Sequence, residues 1–283
     1  MKPGNQTVAT HFLLSGFAFH GKTQLLFFML ISIMFLATLI GNSLIVVIAT
    51  VDPLLHTPMY YLLKNLALTE ICYSLTIVPK MLAILLVERK IISFTACALQ
   101  LNCVFIFVTC ECFLLGAMAY DRQAAICHPL HYATMMNRDR CFKMAIGSWL
   151  SGVPVALGFT TWLFTLPFCG RNTVDHFFCD VSPLLKLVCV DTAFFELLIF
   201  IAVVLIVLIP FSLIAISYLC INQTLSINDS MKGKQGGTKG GKAMLNQAEL
   251  SEFILLGFTN MQGLQHFVFF LLLYLTSLLA TMA

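Results

Sequence analysis

Residues Met118–Tyr132 have the sequence MAYDRQAAICHPLHY, and this stretch stands at the end of a long apolar run, Thr95–Tyr120. Asp121 and Arg122 place an acid and a base side by side where the apolar run ends. A proline, two histidines and a tyrosine follow, and a basic loop comes after them. This arrangement predicts that an apolar helix meets water at Asp121 and Arg122.

The composition of the chain indicates a membrane protein. The 283 residues are 59% hydrophobic and 10% charged, whereas soluble domains carry about 25% charged residues, and the mean hydropathy is +0.92. Five apolar runs reach or approach the roughly 20 residues that a helix needs to cross a bilayer. They are Leu25–Ala49, Tyr60–Val78, Thr95–Tyr120, Met144–Leu166 and Phe194–Leu219. Because backbone polar groups in lipid must be satisfied internally, the runs predict an all-α membrane bundle.

Basic residues predict the orientation of this bundle. They follow the third and the fifth apolar run, and the positive-inside rule places both loops in the cytoplasm. They are Arg122, Arg138, Arg140 and Lys143, and Lys232, Lys234, Lys239 and Lys242. Five crossings then put the N-terminus outside the cell, where Asn5 begins a glycosylation sequon. The net charge of +3 is too small to indicate a nucleic-acid partner.

The cysteines divide according to the same topology. Four of the eleven fall on the predicted outer side, where disulfide bonds persist. They are Cys97, Cys169, Cys179 and Cys189. Four cysteines allow three pairings, and their spacing does not choose between them. The other seven are interpreted as small apolar packing residues, and no metal site is predicted.

Polar residues inside the predicted spans form a further candidate site. Charged side chains are costly in a bilayer and are functional by default. Glu111 and Arg122 are about three helical turns apart, so they share a face that should point into the bundle. We expect Asn42 and Glu70 to meet Glu111 at mid-depth. This polar cluster is either a cation- or proton-sensitive site or a packing network that shares one proton.

The pair Asp121 and Arg122 also allows two interpretations. Arg122 is either a topogenic charge that caps the C-terminus of its helix or one half of a switch. In the switch, Asp121 holds Arg122 in one state and releases it to a partner in another. The spacing of the residues leaves both interpretations open.

Several motifs of the chain resemble those of olfactory receptors, a branch of the rhodopsin-like G-protein-coupled receptors. Met118–Tyr132 resembles the signature that follows the third helix of that family. Other stretches resemble its N-terminal motif, its first inner loop and its helix markers; they are Phe12–Phe17, Gly41-Asn42, Leu55–Leu63, Trp149, Pro210 and Ser217-Tyr218. The resemblance covers about residues 10–220. Gln123, Ala124 and Glu70 depart from the residues that the family usually has.

The resemblance implies a function and the residues that carry it. It implies disulfide bonds Cys97–Cys179 and Cys169–Cys189. It implies that small volatile odorants bind in an apolar outer pocket, although the same residues also suit plain packing or lipid contact. The implied lining is Val104, Phe105, Val108, Ala202, Val203 and Ile206. Odorant binding would loosen Asp121 from Arg122, bring Tyr218 toward Arg122 and open a cleft for a heterotrimeric G protein at the plasma membrane.

The last part of the chain departs from the family pattern. The motifs of the sixth and seventh helices of the family are not recognisable, and residues 221–248 are typical of a flexible Gly/Lys-rich cytoplasmic linker. Phe253–Phe258 then repeats Phe12–Phe17, and a marginal sixth apolar run, Phe267–Ala283, follows. We therefore expect an outer tail (1–24), five helices (25–220), the linker, and a partial repeat of the receptor N-terminus (249–283). A divergent sixth helix is the alternative.

These observations give two main hypotheses for the function. The first is an odorant receptor whose signalling is either intact or crippled by the loss of helices six and seven. The second is a non-signalling membrane remnant of a disrupted or misjoined receptor gene. A transporter is disfavoured because the chain lacks an inverted repeat of half-bundles. The sequence contains no nucleophile–base set, metal-ligand spacing or phosphate loop, so neither an enzyme nor a cofactor is expected.

Overall fold

The computed structural model describes residues 11–14, 21–87, 91–169, 173–174 and 176–235, without the side chains of residues 218 and 221–235. The chain divides into two compact units, Met1–Thr224 and Leu225–Ala283. The predicted sequon at Asn5 and the partial repeat after residue 248 lie outside the described residues. The fold and the sites below belong to the first unit.

Five long helices form the body of this unit. In chain order the elements are β1 (His11–Leu14), α1 (Lys22–Val51), a 3-10 turn (Pro53–Leu55), α2 (Pro58–Leu86), β2 (Ile91–Ser93), α3 (Phe94–Cys127), α4 (Tyr132–Met135), α5 (Arg138–Thr165), β3 (Thr173–Val174), α6 (Val181–Leu185) and α7 (Ala193–Gln235). Helices α1, α2, α3 and α5 and the Ala193–Ser217 part of α7 are long and apolar enough to cross a membrane. The predicted bundle of five membrane helices is therefore confirmed.

The helices extend beyond their apolar runs because polar residues satisfy the backbone groups at their ends. Oγ of Ser93 accepts a hydrogen bond of 3.2 Å from the backbone N–H of Ala96 at the start of α3. Oδ1 of Asn137 accepts one of 2.8 Å from the backbone N–H of Arg140 at the start of α5. Such capping groups do not register in hydropathy, so the apolar runs underestimate the lengths of the helices.

Helix α3 lies at the centre of the bundle. Half of the most apolar stretch of α3 is buried inside the protein, whereas none of the most apolar stretch of α1 is buried. Helix α5 approaches α3 so closely at Gly152 that an added Cβ would lie 2.7 Å from the carbonyl oxygen of Ile106. On α3, a Cβ added at Gly116 would lie 3.3 Å from Cβ of Pro210 in α7. Both glycines therefore allow a neighbouring helix to pack against α3 at close range.

A small sheet closes one end of the bundle and was not among the sequence-based predictions. Strand β1 is its middle strand, antiparallel to β2 and parallel to β3. The alternate residues Phe12 and Leu14 are fully buried, as the period of a strand requires. The ring of Phe12 lies 5.8 Å from that of Phe94 and 5.5 Å from that of Phe168. We call this the sheet end of the bundle.

The structure corrects the predicted start of the linker. Helix α7 continues to Gln235, so residues 221–235 are helical and the predicted linker cannot begin at residue 221. The physical reason is local, because residues 221–232 contain neither glycine nor proline and nothing breaks the helix there. The Gly/Lys-rich composition that suggested a linker is concentrated after residue 232.

Candidate functional site

The end of α3 opposite the sheet carries the predicted acid–base pair, and we call it the Asp121 end. Asp121 is 3% exposed, and its Oδ1 accepts a hydrogen bond of 2.9 Å from the hydroxyl of Tyr132 at the start of α4. Arg122 is half-buried beside it, and its positive charge acts on the Asp121 carboxyl. The sequence predicted the pair but missed Tyr132 as the hydrogen-bond donor to the acid.

Tyr132 is held as a neutral donor. Burial raises the pKa of its phenol well above the usual range, and the charge of Asp121 raises it further. The hydroxyl therefore keeps its proton at physiological pH and can donate to the carboxyl group. A small apolar cluster of Ala124, Met136 and Cys141 packs against Tyr132 and holds its ring in place.

The turn between α3 and α4 exposes an apolar side chain. Leu130 is 93% exposed, which is the highest value among the described large hydrophobic residues. The backbone N–H of His131 donates to the carbonyl oxygen of His128 at 3.0 Å and closes the turn. Leu130 lies outside the five apolar spans, so contact with lipid tails does not account for its exposure.

Helix α7 reaches the Asp121 end through one buried hydrogen bond. Oγ of Ser217 donates to the carbonyl oxygen of Ala119 on α3 at 2.8 Å. Tyr218, the predicted partner of Arg122, is the next residue of α7, and its side chain lies outside the described part of the structure. The structure thus places the backbone of α7 beside the α3 segment that carries Asp121 and Arg122.

The middle of α3 carries the predicted polar cluster. Glu111 and Glu70 are close enough for their charges to interact, and Tyr73 lies near both of them. Oε1 of Glu111 is buried without a hydrogen-bond partner among the described residues. Nδ2 of Asn42 donates to the carbonyl oxygen of Thr38 on its own helix at 3.0 Å. The structure therefore places the two glutamates within electrostatic range of each other, while this bond of Asn42 stays within α1.

The predicted pocket residues lie toward the sheet end. All six are half-buried; they are Val104, Phe105, Val108, Ala202, Val203 and Ile206. Phe105 and Val203 pack against the apolar cluster that lies beneath the sheet. The ring of Phe105 is 6.3 Å from that of Phe159, which in turn is 5.9 Å from that of Phe195. Phe105 on α3 and Val203 on α7 thus belong to one apolar wall.

Two disulfide bonds fix the loop between α5 and α7, and they are the pairs that the resemblance implied. They are Cys97–Cys179, with Cα atoms 5.5 Å apart, and Cys169–Cys189, with Cα atoms 5.6 Å apart. Gln100 supports the first bond, because its Oε1 accepts from the backbone N–H of Cys179 at 3.1 Å. Its Nε2 donates to the carbonyl oxygen of Thr76 on α2 at 3.0 Å. Gln100 thus links the loop, α3 and α2, and the sequence alone did not predict this link.

Asp180 follows the first disulfide bond and caps α6. Its Oδ1 accepts a hydrogen bond of 2.8 Å from the backbone N–H of Val181. Burial raises the pKa of Asp180, whereas the Val181 N–H and the nearby His176 oppose this rise. Among the described residues, no group of three His, Cys, Asp or Glu side chains is placed to hold a metal ion.

Comparison with known proteins identifies the family. The family model for olfactory receptors matches residues 31–240 of the chain. The chain belongs to the olfactory receptor family. It is 49% identical over 231 residues to olfactory receptor 10A7 of Homo sapiens, covering 82% of this chain and 73% of that protein. It is 48% identical over 235 residues to olfactory receptor 10A5 of Homo sapiens, covering 83% of this chain and 74% of that protein.

Membership of the olfactory receptor family agrees with the fold. The receptor is a multi-pass membrane protein with a helical bundle and is not an enzyme. The matched region contains α3 with Asp121 and Arg122, and both disulfide bonds. The family assignment made from the motifs is thereby confirmed.

Proposed function

We propose that this receptor binds small volatile odorants toward the sheet end and signals through a heterotrimeric G protein at the Asp121 end. The observation that carries the proposal is the buried hydrogen bond from Tyr132 to Asp121, next to Arg122 and the exposed Leu130. The end of α3 thus combines a hydrogen-bonded acid and a neighbouring base with an exposed apolar side chain. A partner protein that binds there can both touch Leu130 and release Arg122.

The proposal includes an orientation in the plasma membrane, with the N-terminus outside the cell. Disulfide bonds persist in oxidising compartments, and both bonds of this receptor lie at the sheet end. The basic residues Arg138, Arg140 and Lys143 lie at the start of α5, at the Asp121 end, which suits the cytoplasmic side. In this orientation Asn5 is extracellular and available for glycosylation.

The odorant pocket is proposed to use the six half-buried apolar residues of α3 and α7. Phe105 and Val203 support this role, because they share one apolar wall. Apolar linings with few polar groups suit small hydrophobic ligands. An odorant can shift the receptor toward its active state only by binding that state more tightly than the resting state.

In the proposed resting state, Asp121 is engaged by Tyr132 and by the charge of Arg122. Activation separates Arg122 from Asp121 and moves it toward Tyr218. A cytoplasmic cleft then opens, and the G protein contacts Leu130. Because Leu130 is already exposed, this contact needs no rearrangement of the turn that carries it.

The polar cluster is proposed to be sensitive to protons or cations. Two interacting carboxyl groups in a membrane cannot both ionise cheaply, so Glu70 and Glu111 are expected to share one proton. Glu70→Gln and Glu111→Gln variants test this role through the pH and salt dependence of signalling. A dependence that is unchanged in both variants removes the cluster from the mechanism.

A pair of exposed leucines gives a matched test of G-protein coupling. Cells that express the receptor are exposed to a panel of volatile odorants, and guanine-nucleotide exchange on the G protein is measured at equal surface expression. Leu130→Ala is expected to weaken the response strongly. Leu54→Ala is expected to leave it unchanged, because Leu54 is also exposed, at 85%, but lies in the 3-10 turn after α1. Equal responses of the two variants contradict the proposed docking surface.

The alternative, a non-signalling membrane remnant, predicts a different outcome. The receptor would then reach the membrane, yet no odorant of the panel would raise nucleotide exchange. The partial repeat of Phe12–Phe17 at Phe253–Phe258 is the observation behind this alternative. A response to any odorant rejects it.

A further inference from the structure

Ser217 bonds differently from several hydroxyl residues in the other membrane helices that the structure describes. Serine and threonine in helices commonly donate to a backbone carbonyl one turn earlier. Thr38, Thr69 and Ser148 do so in α1, α2 and α5. Ser217 instead donates across to the carbonyl oxygen of Ala119 in α3, at 2.8 Å. The two residues are 2% and 7% exposed, so water does not compete for this bond.

A second contact between α3 and α7 lies earlier along both helices. Pro210 precedes Ser217 by about two helical turns, and its Cβ lies 3.3 Å from the position of an added Cβ at Gly116. Proline has no backbone N–H, so α7 lacks one of its own hydrogen bonds at this level. Helix α7 is therefore weakened at Pro210, packed against α3 there, and tied to α3 again at Ser217.

The acceptor of the bond lies next to the proposed switch. Ala119 precedes Arg122 by three residues, so the two positions are neighbours on one face of α3. The hydroxyl of Ser217 thus holds α7 within one turn of Arg122. Consecutive residues of a helix are separated by about 100° around its axis. A movement that turns position 218 toward Arg122 must therefore carry Ser217 away from Ala119.

We propose that the Ser217–Ala119 hydrogen bond is a latch that keeps α7 in its resting position. The bond must break before α7 can engage Arg122, so Ser217 is a positioning residue for activation. This inference rests on the proposed G-protein function. Hydrogen bonds between membrane helices are modest, and loss of this one is expected to raise the ratio of active to resting receptor about 3-fold, and at most about 18-fold.

Nucleotide exchange without odorant tests the latch in signalling. Ser217→Ala is expected to raise this basal exchange about 3-fold at equal surface expression. Ser217→Thr keeps the hydroxyl and is expected to stay near the basal level of the unmodified receptor. Ser212→Ala is the matched control, because Ser212 lies in the same helix but donates to the carbonyl oxygen of Ile209 in that helix at 2.8 Å. If Ser217→Ala and Ser212→Ala have equal basal exchange in a receptor that responds to odorant, the latch is overturned.

Hydrogen–deuterium exchange tests the same bond without any G protein. The purified receptor is placed in lipid nanodiscs, and exchange of the backbone amides of residues 213–220 is followed by mass spectrometry. Ser217→Ala is expected to exchange faster there than the unmodified receptor and Ser212→Ala. Equal exchange in all three overturns the latch, whatever the signalling shows. If no odorant elicits signalling from the unmodified receptor, the proposed function fails, and amide exchange alone decides whether Ser217 restrains α7.

Discussion

The close approach of α3 and α5 makes Gly152→Ala a severe substitution for its size. The added Cβ would lie 2.7 Å from the carbonyl oxygen and 2.9 Å from Cα of Ile106, and ordinary contact begins at 3.4 Å, so the two backbones must separate by about 0.7 Å. Overpacking of a well-packed core costs about 1–3 kcal/mol. We expect a cost in the upper half of this range, because backbone atoms cannot rotate out of the way as a side chain can.

Thermal unfolding of the purified receptor measures this cost. At about 2–4 °C per kcal/mol for a chain of this size, Gly152→Ala is expected to lower Tm by about 4–12 °C. Gly158→Ala is the matched control in α5, because a Cβ there has nothing within 4 Å. Alanine at an open helical position gains about 0.5–1 kcal/mol over glycine, so this control is expected to keep or raise Tm. Equal Tm values for the two variants would refute the packing of α5 on α3 described above.

Three further predictions test other parts of the structure. Asp180→Asn keeps an acceptor for the Val181 N–H but cannot ionise. Because burial raises the native pKa of Asp180, the unmodified receptor loses stability as pH rises from about 3.9, the unfolded value, through the native pKa. The Tm of Asp180→Asn should therefore rise relative to that of the unmodified receptor across this pH range. Parallel curves of Tm against pH would contradict the burial of the Asp180 carboxyl. Tyr132→Phe removes the donor to Asp121 and should lower the free energy of unfolding by about 1–2 kcal/mol, whereas an unchanged denaturation midpoint would mean that the bond is not formed. Replacing both cysteines of a disulfide bond by alanine should lower the free energy of unfolding more for the bond that spans 82 residues than for the one that spans 20, by about 1 kcal/mol. Denaturant unfolding that shows the reverse order would contradict this difference in loop-closure entropy.

The five membrane helices were predictable because each depends on a contiguous apolar run. Hydropathy is a local property, and a run of about 20 apolar residues needs no partner to be recognised. The ends of the helices were less predictable, because they depend on capping residues such as Ser93 and Asn137. The end of α7 was also hard to predict from composition. The segment directly after Cys220 lacks helix breakers, although the residues that follow it are rich in glycine.

The contacts that complete the candidate sites were not predictable from local sequence. Tyr132 reaches Asp121 only because the turn at Leu130 folds α4 back onto α3. Ser217 looks in sequence like any serine that bonds within its own helix, and its true acceptor is 98 residues away. Gln100 looks like a tolerated polar residue, yet it joins a loop and two helices. Each of these contacts is set by tertiary packing, which one sequence does not specify residue by residue.

The central claim is that the receptor converts odorant binding at one end into G-protein activation at the other through Arg122. Purified receptor in lipid nanodiscs with a heterotrimeric G protein, tested for odorant-dependent guanine-nucleotide exchange, measures this most directly. We predict that at least one volatile odorant raises exchange above that of empty nanodiscs, and that Arg122→Ala abolishes the rise while still binding the odorant. No rise with any odorant, or an undiminished rise with Arg122→Ala, would contradict the claim.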